Sequence, residues 1–255
     1  MIEIKNINKS FEDKQVLFDI SAEFHAGKTN LIIGQSGSGK TVLLKSIVGL
    51  MTPETGQILY DGRNSLAMNA RQIKELRKEI GMLFQGAALF DSETVLGNVI
   101  FPLRMHTNDS YQQCKKRAEF CLERVNLRGA DKLYPSEISG GMQKRVAIAR
   151  AIALNPKYLF CDEPNSGLDP KTSLVIDELL SDITHEYNIT TIINTHDMNS
   201  VLGIGEHIIF INKGHKAWEG TSQMITHSDN KDLEDFVFAT PLFKDVKGYL
   251  ASQGK

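Results

Sequence analysis

The sequence lacks the features of a chain that crosses a membrane or is exported. No uninterrupted run of apolar residues exceeds four, whereas a membrane-spanning helix needs about 20 mostly apolar residues. Residues 1–14 contain neither an apolar core nor a small-residue cleavage site, so they predict no secretory signal, and we expect a cytoplasmic chain. Lys and Arg number 29 against 31 Asp and Glu. Without a basic excess, nucleic acid is a disfavoured partner.

Cysteine is also scarce, with three residues in a chain of 255. Their odd number and the lack of C-x-x-C spacing argue against both a disulfide framework and a zinc site. Cys114 and Cys121 share an apolar stripe of helical spacing with Ala118, Leu122 and Val125, so we expect them in the core. The composition, 41% hydrophobic and 24% charged, is that of a globular protein, and the length fits one large α/β unit.

Short apolar runs rich in β-branched residues alternate with helical patterns along the chain. The runs are 29–33, 80–84, 158–161, 189–193 and 207–211. Strands that alternate with helices predict a parallel sheet. Helical periodicity dominates 86–156, which we interpret as a helical insertion in the α/β core. The segment from Thr221 on is too apolar for a solvated tail and should be covered.

The strongest local signal is a glycine-rich loop that fits phosphate binding. Residues 34–41 follow the pattern G-x-x-x-x-G-K-[ST], between the strand 29–33 and a helix-compatible stretch 41–49. Glycines let successive N–H groups point inward, and the helix N-terminus adds positive potential. Lys40 supplies charge for the phosphates and Thr41 a hydroxyl for Mg²⁺. An ordinary Gly/Ser-rich turn is the alternative, and the strand–loop–helix context argues against it. The candidate ATP-binding residues here are Gly34, Gln35, Ser36, Gly37, Ser38, Gly39, Lys40 and Thr41.

Two adjacent carboxylates, Asp162 and Glu163, end the apolar run that starts at Tyr158. Carboxylates at the end of a buried strand are costly unless they meet a cation or a substrate. Alternation along the strand sends the two side chains in different directions. We therefore expect Asp162 to face the metal and Glu163 to face a water that attacks the γ-phosphate. A solvated acidic turn before Pro164 is the alternative.

A further small-residue turn, Ser139-Gly140-Gly141, opens an Ala-rich helix and would be a second anion-binding surface. With it, residues 2–220 resemble the nucleotide-binding subunit of an ABC transporter, with the motifs in order. The resemblance implies these roles: Phe11 stacks on adenine, Gly34–Thr41 form the Walker A loop, Gln85 belongs to the Q-loop, Ser139–Gly141 are the signature, Asp162 and Glu163 are the Walker B pair, Asp169 belongs to the D-loop and His196 to the H-loop.

The resemblance implies an α/β P-loop NTPase cassette with a mainly parallel sheet core, an N-terminal antiparallel β portion and a helical subdomain. Residues 1–220 would form one ATPase domain, with the helical subdomain at about 86–156, and 221–255 would be a C-terminal extension. Two copies would sandwich two ATP molecules head to tail, each signature facing the γ-phosphate on its partner. The implied catalytic residues are Glu163, His196, Gln85 and Lys40, and the implied Mg²⁺ ligands are Thr41, Gln85 and Asp162.

Three positions depart from the usual family pattern: Ile138 before the signature serine, Met142 after its glycines, and Gly167 in the D-loop. Met142 removes an amide, so the contact across the dimer would rest more on Ser139 and the backbone. None of these changes removes a residue expected to be catalytic, so ATP hydrolysis remains the favoured interpretation.

The stretch that follows Gln85 is similar to that of the ATPases of bacterial Mla/Mce-type lipid transporters. Residues 85–98 read QGAALFDSETVLGN. That similarity implies a subunit on the cytoplasmic face of the bacterial inner membrane, a separate membrane permease, phospholipid as cargo and an Mce-type lipid-binding partner. The alternatives are an importer of an amino acid, a metal or another small solute, a soluble ABC ATPase outside transport, and a nucleotide sensor. We also expect residues of about 236–250 either to dock on the neighbouring subunit or to pack on their own domain.

Overall fold

The computed structural model describes residues 1–12, 14–225 and 227–239, which form two compact units. The first unit contains Met1–Leu66 and the described residues from Asn194 on, and the second contains Ala67–Ile193. Nowhere in these ranges is there a helix with the length and apolar character needed to cross a membrane. The expected domain bounds, 1–220 and 221–255, stay a prediction.

The strands are β1 (Ile2–Phe11), β2 (Lys14–Phe24), β3 (Lys28–Ile33), β4 (Thr55–Tyr60), β5 (Arg63–Asn64), β6 (Ile80–Leu83), β7 (Tyr158–Asp162), β8 (Thr190–Thr195), β9 (His207–Asn212) and β10 (His215–Gly220). The helices are α1 (Lys40–Ile47), α2 (Ala70–Lys78), α3 (Val95–His106), α4 (Tyr111–Arg124), α5 (Gly140–Ala151), α6 (Pro170–Glu186), α7 (Met198–Ile204), α8 (Ser222–Ile225) and α9 (Lys231–Val237). Each strand predicted from an apolar run is present, with bounds shifted by one or two residues.

An antiparallel sheet of four strands, in the order β2-β1-β4-β5, occupies part of the first unit. Burial alternates at the start of β1, where Ile2 and Ile4 point to the core, and Ile7 is buried after a shift of register between Ile4 and Ile7. This alternation is what a sheet with one covered face requires. The expected N-terminal antiparallel portion is confirmed.

The same unit contains the strand that leads into the glycine-rich loop. β3 pairs in parallel with β9, with Leu31 opposite Ile208, and β10 pairs antiparallel with β9. Five of the six residues of β3 are buried, which is typical of a parallel strand covered on both faces. The loop therefore begins at the end of a firmly held strand.

In the second unit, β6 and β7 pair in parallel, with Gly81 opposite Leu159. Helix α4 begins at a capping box in which Ser110 and Gln113 exchange hydrogen bonds. Its buried stripe includes Cys114 and Cys121, as predicted. Burial raises the pKa of Cys121 to about 11, so this thiol is unreactive at neutral pH and serves packing.

Helix α9 packs on its own unit at the end of the described chain. Leu233, Val237 and Phe238 are buried, and the ring of Phe236 stacks on Phe210 with centroids 5.4 Å apart. These residues are covered, as expected of such an apolar segment. Residues 240–255 lie outside the described part, so docking of residues 236–250 on a neighbouring subunit stays a prediction.

Candidate functional site

The glycine-rich loop of the first unit connects β3 to α1 and turns at Gly34. Gly34 has φ +150°, and a Cβ atom there would lie 2.2 Å from the carbonyl oxygen of Ile211. No side chain fits at that distance, because the obstacle is backbone and cannot swing away. The loop is anchored at its other end, where the N–H of Gly214 donates to the Ser38 carbonyl at 3.0 Å. The loop's shape thus depends on glycine at position 34.

The polar groups of this loop suit an anionic ligand. Lys40 is buried, and its Nζ donates to the carbonyls of Gly34 at 2.8 Å and Gln35 at 2.9 Å. Ser38 is 6% exposed, and its buried Oγ has no hydrogen-bond partner among the described residues. A buried hydroxyl without a partner is costly, and a phosphate oxygen would be a suitable acceptor. The fit supports the predicted role of residues 34–41.

Thr41 and His196 belong to the same unit. The sequence did not predict that Asn194 contacts Thr41. Asn194 is fully buried at the end of β8, and its Nδ2 donates to Thr41 Oγ1 at 3.1 Å. This contact orients the hydroxyl predicted to bind Mg²⁺. A buried amide two positions before the predicted His196 was the available signal. His196 itself directly follows β8 and is exposed.

Phe11 ends β1 with 43% of its surface exposed. The ammonium group of Lys9 lies 5.3 Å from the centre of the ring. An exposed ring supported by a cation on one side can accept a base on a face. This arrangement is compatible with the predicted stacking on adenine.

The Walker B pair lies at the end of β7 in the second unit. Every residue of this strand is buried, and Asp162 is only 7% exposed. Glu163 is half-buried and has φ +47°, in the left-handed region that costs a non-glycine residue energy. β7 ends at Asp162, so the strained backbone of Glu163, rather than strand alternation, sets the direction of its side chain, and the separate roles of the two carboxylates stay predictions. Such strain is typical of functional positions.

Gln85 follows β6 and lies beside this pair. Its Nε2 donates to Glu163 Oε2 at 3.4 Å and to Ser166 Oγ at 3.3 Å. The structure therefore brings Gln85 and Glu163 together within one unit. Ser166 was not among the predicted site residues, although it lies three positions before Asp169 of the predicted D-loop.

The signature turn lies at the N-terminus of α5. Ser139 caps the helix, with Oγ accepting from the N–H of Met142 at 3.3 Å, and both Ser139 and Gly140 are exposed. A Cβ atom at Gly141 would lie 2.6 Å from Thr172 Cγ2, so a glycine permits close packing against α6. The side chain of Gln143 does not replace the amide lost at Met142, since its Nε2 donates back to the Pro135 carbonyl at 2.9 Å. The N-terminus of α5 is therefore exposed and suited to bind an anion.

Asp169 of the D-loop caps the N-terminus of α6. Its carboxylate accepts hydrogen bonds from the backbone N–H of Thr172 at 3.0 Å and from the Thr172 hydroxyl. These bonds lower the pKa of Asp169. The residue therefore remains ionised and orients the start of the helix next to the signature turn.

A buried lysine that the sequence did not single out also faces this region. Lys144 of α5 is 5% exposed, and its Nζ donates to the carbonyl oxygen of Gln85. Burial lowers the pKa of Lys144. The helical pattern places Lys144 on α5 but gives no sign that it reaches the Q-loop.

The proposed Mg²⁺ ligands offer a hydroxyl, an amide oxygen and one carboxylate, which are the oxygen donors that Mg²⁺ prefers. The described residues contain no cluster of three His, Cys, Asp or Glu suited to hold a metal ion. Mg²⁺ is usually bound through one or two carboxylates together with substrate phosphates. That Thr41, Gln85 and Asp162 bind Mg²⁺ stays a prediction.

A glycine-rich loop of the pattern G-x-x-x-x-G-K-[ST] between a strand and a helix, with two adjacent acids where a second strand ends, is the pattern of a P-loop ATPase. The sequence pattern of the ABC transporter family matches residues 17–166. The chain therefore belongs to the ABC transporter family, and it is an ATPase subunit of that family.

Relatives and solved structures agree with this assignment. The chain is 39% identical over 237 residues to the intermembrane phospholipid transport ATP-binding protein MlaF of Haemophilus influenzae, covering 93% of this chain and 90% of that protein. It is 36% identical over 236 residues to the probable ribonucleotide transport ATP-binding protein mkl of Mycobacterium leprae, covering 92% of this chain and 68% of that one. It is 41% identical over 223 residues to the methionine import ATP-binding protein MetN of Carboxydothermus hydrogenoformans, covering 86% and 66%.

The fold matches a dimeric structure of the bacterial ABC transporter cassette MJ0796 with a TM-score of 0.80 and 33% identity. The match covers 87% of this chain and 99% of that one. The resemblance to ABC transporter ATP-binding subunits and the expected cassette fold are confirmed. The roles of individual site residues stay predictions.

Proposed function

We propose that the chain is the ATP-hydrolysing subunit of a bacterial transporter that moves phospholipid between membranes. It would act as a head-to-tail dimer on a separate permease, at the cytoplasmic face of the inner membrane. The observation that carries the proposal is a pair of small-residue turns at helix N-termini, each suited to bind an anion: the loop 34–41 in one unit and the exposed turn 139–141 in the other. The loop 34–41 is sufficient to bind the phosphates of one ATP per subunit. The turn 139–141 is therefore available to bind the nucleotide of a partner subunit.

In the proposed reaction, each residue acts through the chemistry of its side chain. Lys40 and the loop N–H groups bind the phosphates. Glu163 accepts a proton from the attacking water, and Gln85 orients that water. His196 donates a hydrogen bond to the charge that develops on the γ-phosphate. Mg²⁺ held by Thr41, Gln85 and Asp162 would neutralise phosphate charge when bound.

The dimer is tested by a variant that binds ATP without hydrolysing it. Glu163→Gln keeps the size of the side chain but removes the proton acceptor. We expect ATP binding to persist, turnover to fall at least ~100-fold, and an ATP-bound dimer to accumulate in sedimentation experiments. Parental turnover in this variant would overturn the assignment of Glu163.

A groove behind the Q-loop supports the proposed contact with a permease. It has a volume of about 270 Å³ and includes Phe84, Phe90 and Phe101 in its lining. These three side chains are 36%, 40% and 42% exposed, and the rings of Phe90 and Phe101 have centroids 4.6 Å apart. Clustered exposed aromatic residues mark interaction sites. We propose that a segment of the membrane subunit docks in this aromatic groove.

Phospholipid is the favoured cargo because MlaF proteins of two organisms are relatives that the chain matches over about 90% of their length. A small-solute importer is the second candidate, since two MetN proteins are similarly related, at 41% and 39% identity. The chain covers a smaller share of the MetN proteins, 66% and 74%. This difference favours the lipid transporter.

The permease and the cargo are tested together by purification from native membranes. The tagged full-length chain should recover an integral membrane subunit, a lipid-binding Mce-type protein and bound phospholipid. Recovery with a methionine-binding protein would favour the importer, and recovery with ribosomes alone would overturn transport. Phe101→Glu in the groove should abolish recovery of the membrane subunit. Phe120→Glu on α4, which is 43% exposed and not part of the groove lining, is the matched control and should retain it.

We further propose that residues of about 236–250 dock on the neighbouring subunit. Leu233, Val237 and Phe238 are buried within the first unit and are therefore not free to contact a second subunit. The docking contact would involve residues beyond Phe238. Truncation before Thr240 should weaken ATP-free association. Unchanged association and unchanged lipid-coupled ATPase activity would overturn docking.

A further inference from the structure

Helix α5 carries the signature turn at one end and also holds the Q-loop. Lys144 Nζ donates to the carbonyl oxygen of Gln85. Arg150 donates from Nη1 to the Ala88 carbonyl and from Nη2 to the Ala87 carbonyl, each at 2.7 Å. Two cations from one helix therefore bind three carbonyls of the four-residue segment 85–88.

These carbonyls belong to a segment that regular secondary structure does not hold. Ala87 and Ala88 have φ values of +61° and +50°, and the segment follows the end of β6. Positive φ values cost non-glycine residues energy and persist only where surrounding contacts impose them. The cations of α5 are such contacts.

The hydrogen bond from Lys144 to the Gln85 carbonyl requires a buried charge, which costs free energy. It is 5% exposed, and burial of an ammonium group costs free energy that an apolar residue would not cost. The charges of Glu163 and Asp162 oppose the effect of burial on the pKa of Lys144. The lysine is therefore a buried cation bound to the Q-loop backbone, and the charges of the Walker B carboxylates favour its protonated form.

The hydrogen bond from Lys144 restrains Gln85, whose side-chain amide contacts Glu163, the expected general base. The Gln85 amide lies 3.4 Å from Glu163 Oε2 and 3.3 Å from Ser166 Oγ. Because the Gln85 side chain is exposed, its own surroundings restrain it little. The hydrogen bond from Lys144 to the Gln85 carbonyl fixes the backbone from which this side chain extends. A shift of this backbone would move the amide away from Glu163.

We propose that Lys144 is a positioning residue for ATP hydrolysis, which holds the Gln85 backbone and thereby keeps the Gln85 amide against Glu163. The proposal rests on the proposed roles of Gln85 and Glu163. It predicts an effect on turnover rather than on ATP affinity, because the phosphates are bound by the loop 34–41. Lys144 acts through Gln85 and is not itself a catalytic residue.

The test compares three single variants of the full-length chain, purified with its membrane subunits. Lys144→Met removes the charge and keeps the length, and Lys144→Arg keeps the charge. Arg145→Met is the matched control, since Arg145 lies on the same helix and donates to the carbonyl of Asn126 at 3.0 Å, away from the Q-loop. For each variant, kcat and KM for ATP and the unfolding temperature are measured.

We expect Lys144→Met to lower kcat about tenfold and to leave KM within about twofold of the parent value. The unfolding temperature should stay close to the parent value, because removal of a buried charge offsets the loss of one hydrogen bond. Lys144→Arg should recover most of the lost turnover, and Arg145→Met should keep the parental kcat. A joint loss of kcat and unfolding temperature in Lys144→Met would show a merely structural role and overturn the proposal.

A double-mutant cycle tests whether Lys144 acts through Gln85. In a Gln85→Ala background, Lys144→Met should cause little further loss of kcat, and full additivity of the two losses would overturn the proposal. Parental kcat in both Gln85→Ala and Glu163→Gln would overturn the proposed site itself. Low kcat in those two variants with parental kcat in Lys144→Met would overturn only the positioning role.

Discussion

Lys40 shows how a single residue is prepared for a charged ligand. Its ammonium group is buried and donates to two carbonyls of its own loop. Carbonyl oxygens carry partial charge, whereas phosphate oxygens carry full charge and form stronger bonds with an ammonium group. Binding of ATP would therefore improve the environment of a cation that is already in place.

Removal of this cation should weaken ATP binding itself. A hydrogen bond to a charged group contributes about 1.5–3 kcal/mol, so Lys40→Ala should raise the Kd for ATP about 10- to 100-fold. Calorimetric titration measures the change, and Lys116→Ala, on the exposed side of α4, is the control. An unchanged Kd in Lys40→Ala would contradict the role assigned to the loop.

Some residues of the candidate site could be predicted from the sequence, and others could not. The pattern of residues 34–41 and the acids 162 and 163 could be predicted because phosphate chemistry constrains residue types at close spacing. The contact of Lys144 with Gln85 could not, because it joins positions far apart in the chain and lysine is usually exposed. The left-handed backbone of Glu163 could not be predicted either, because a positive φ is typical of glycine and, less often, of asparagine and aspartate, but not of glutamate.

At the scale of elements, α5 combines a structural cap with a functional turn. Its first residues follow Ser139, whose Oγ accepts from Met142 N–H at 3.3 Å. Helix α4 begins in the same way, with Ser110 Oγ accepting from Gln113 N–H at 3.4 Å. The helices were predictable from periodicity and from these serine caps. The close contact of Gly141 with Thr172 was not, since it depends on the packing of α5 against α6.

The two caps allow the structural and functional contributions of serine to be separated. Ser139→Ala and Ser110→Ala should each lower the free energy of unfolding by about 1 kcal/mol, the usual cost of a lost N-cap. Only Ser139→Ala should also lower ATPase activity, because its hydroxyl belongs to the proposed contact with the partner's γ-phosphate. Chemical denaturation and steady-state ATPase assays measure the two effects. Equal activity in both variants would count against the role of the signature turn.

At the scale of the whole molecule, stability should depend on pH through a buried histidine of the first unit. Burial lowers the pKa of His207 from its usual 6.5, although a hydrogen bond with Glu219 at 2.9 Å and the charge of that carboxylate oppose the shift. The ring of His25 lies at 4.9 Å, and the charges of His25 and Lys28 lower the pKa further. His207 is therefore held in its neutral form within the fold.

The sign of the pH effect follows from proton binding. Below pH 6.5 the unfolded chain protonates at this position before the folded one, so the free energy of unfolding should fall as the pH falls through this range. For Glu219, burial raises the pKa, but hydrogen bonds from Lys216 and His207 outweigh it and lower the pKa below 4.5, so its contribution is lost only at more acidic pH. Thermal unfolding between pH 7.5 and about 5 measures the slope.

His207→Gln should flatten this slope, whereas His227→Gln, at an exposed position, should leave it unchanged. The same slope in the parent and in His207→Gln would assign the pH dependence to other groups. The comparison needs no ATP and no membrane subunit, so it examines the fold independently of transport.

The close approach of Gly34 to the Ile211 carbonyl predicts how the two positions tolerate mutation. The obstacle to a side chain at position 34 is a backbone atom, which every residue at position 211 would provide equally. No second substitution can therefore compensate for the loss of Gly34. Position 211 is buried in a strand, and only its main-chain carbonyl approaches Gly34, so it should accept other β-branched residues. In saturation mutagenesis scored by transporter function, position 34 should admit glycine alone while position 211 admits valine.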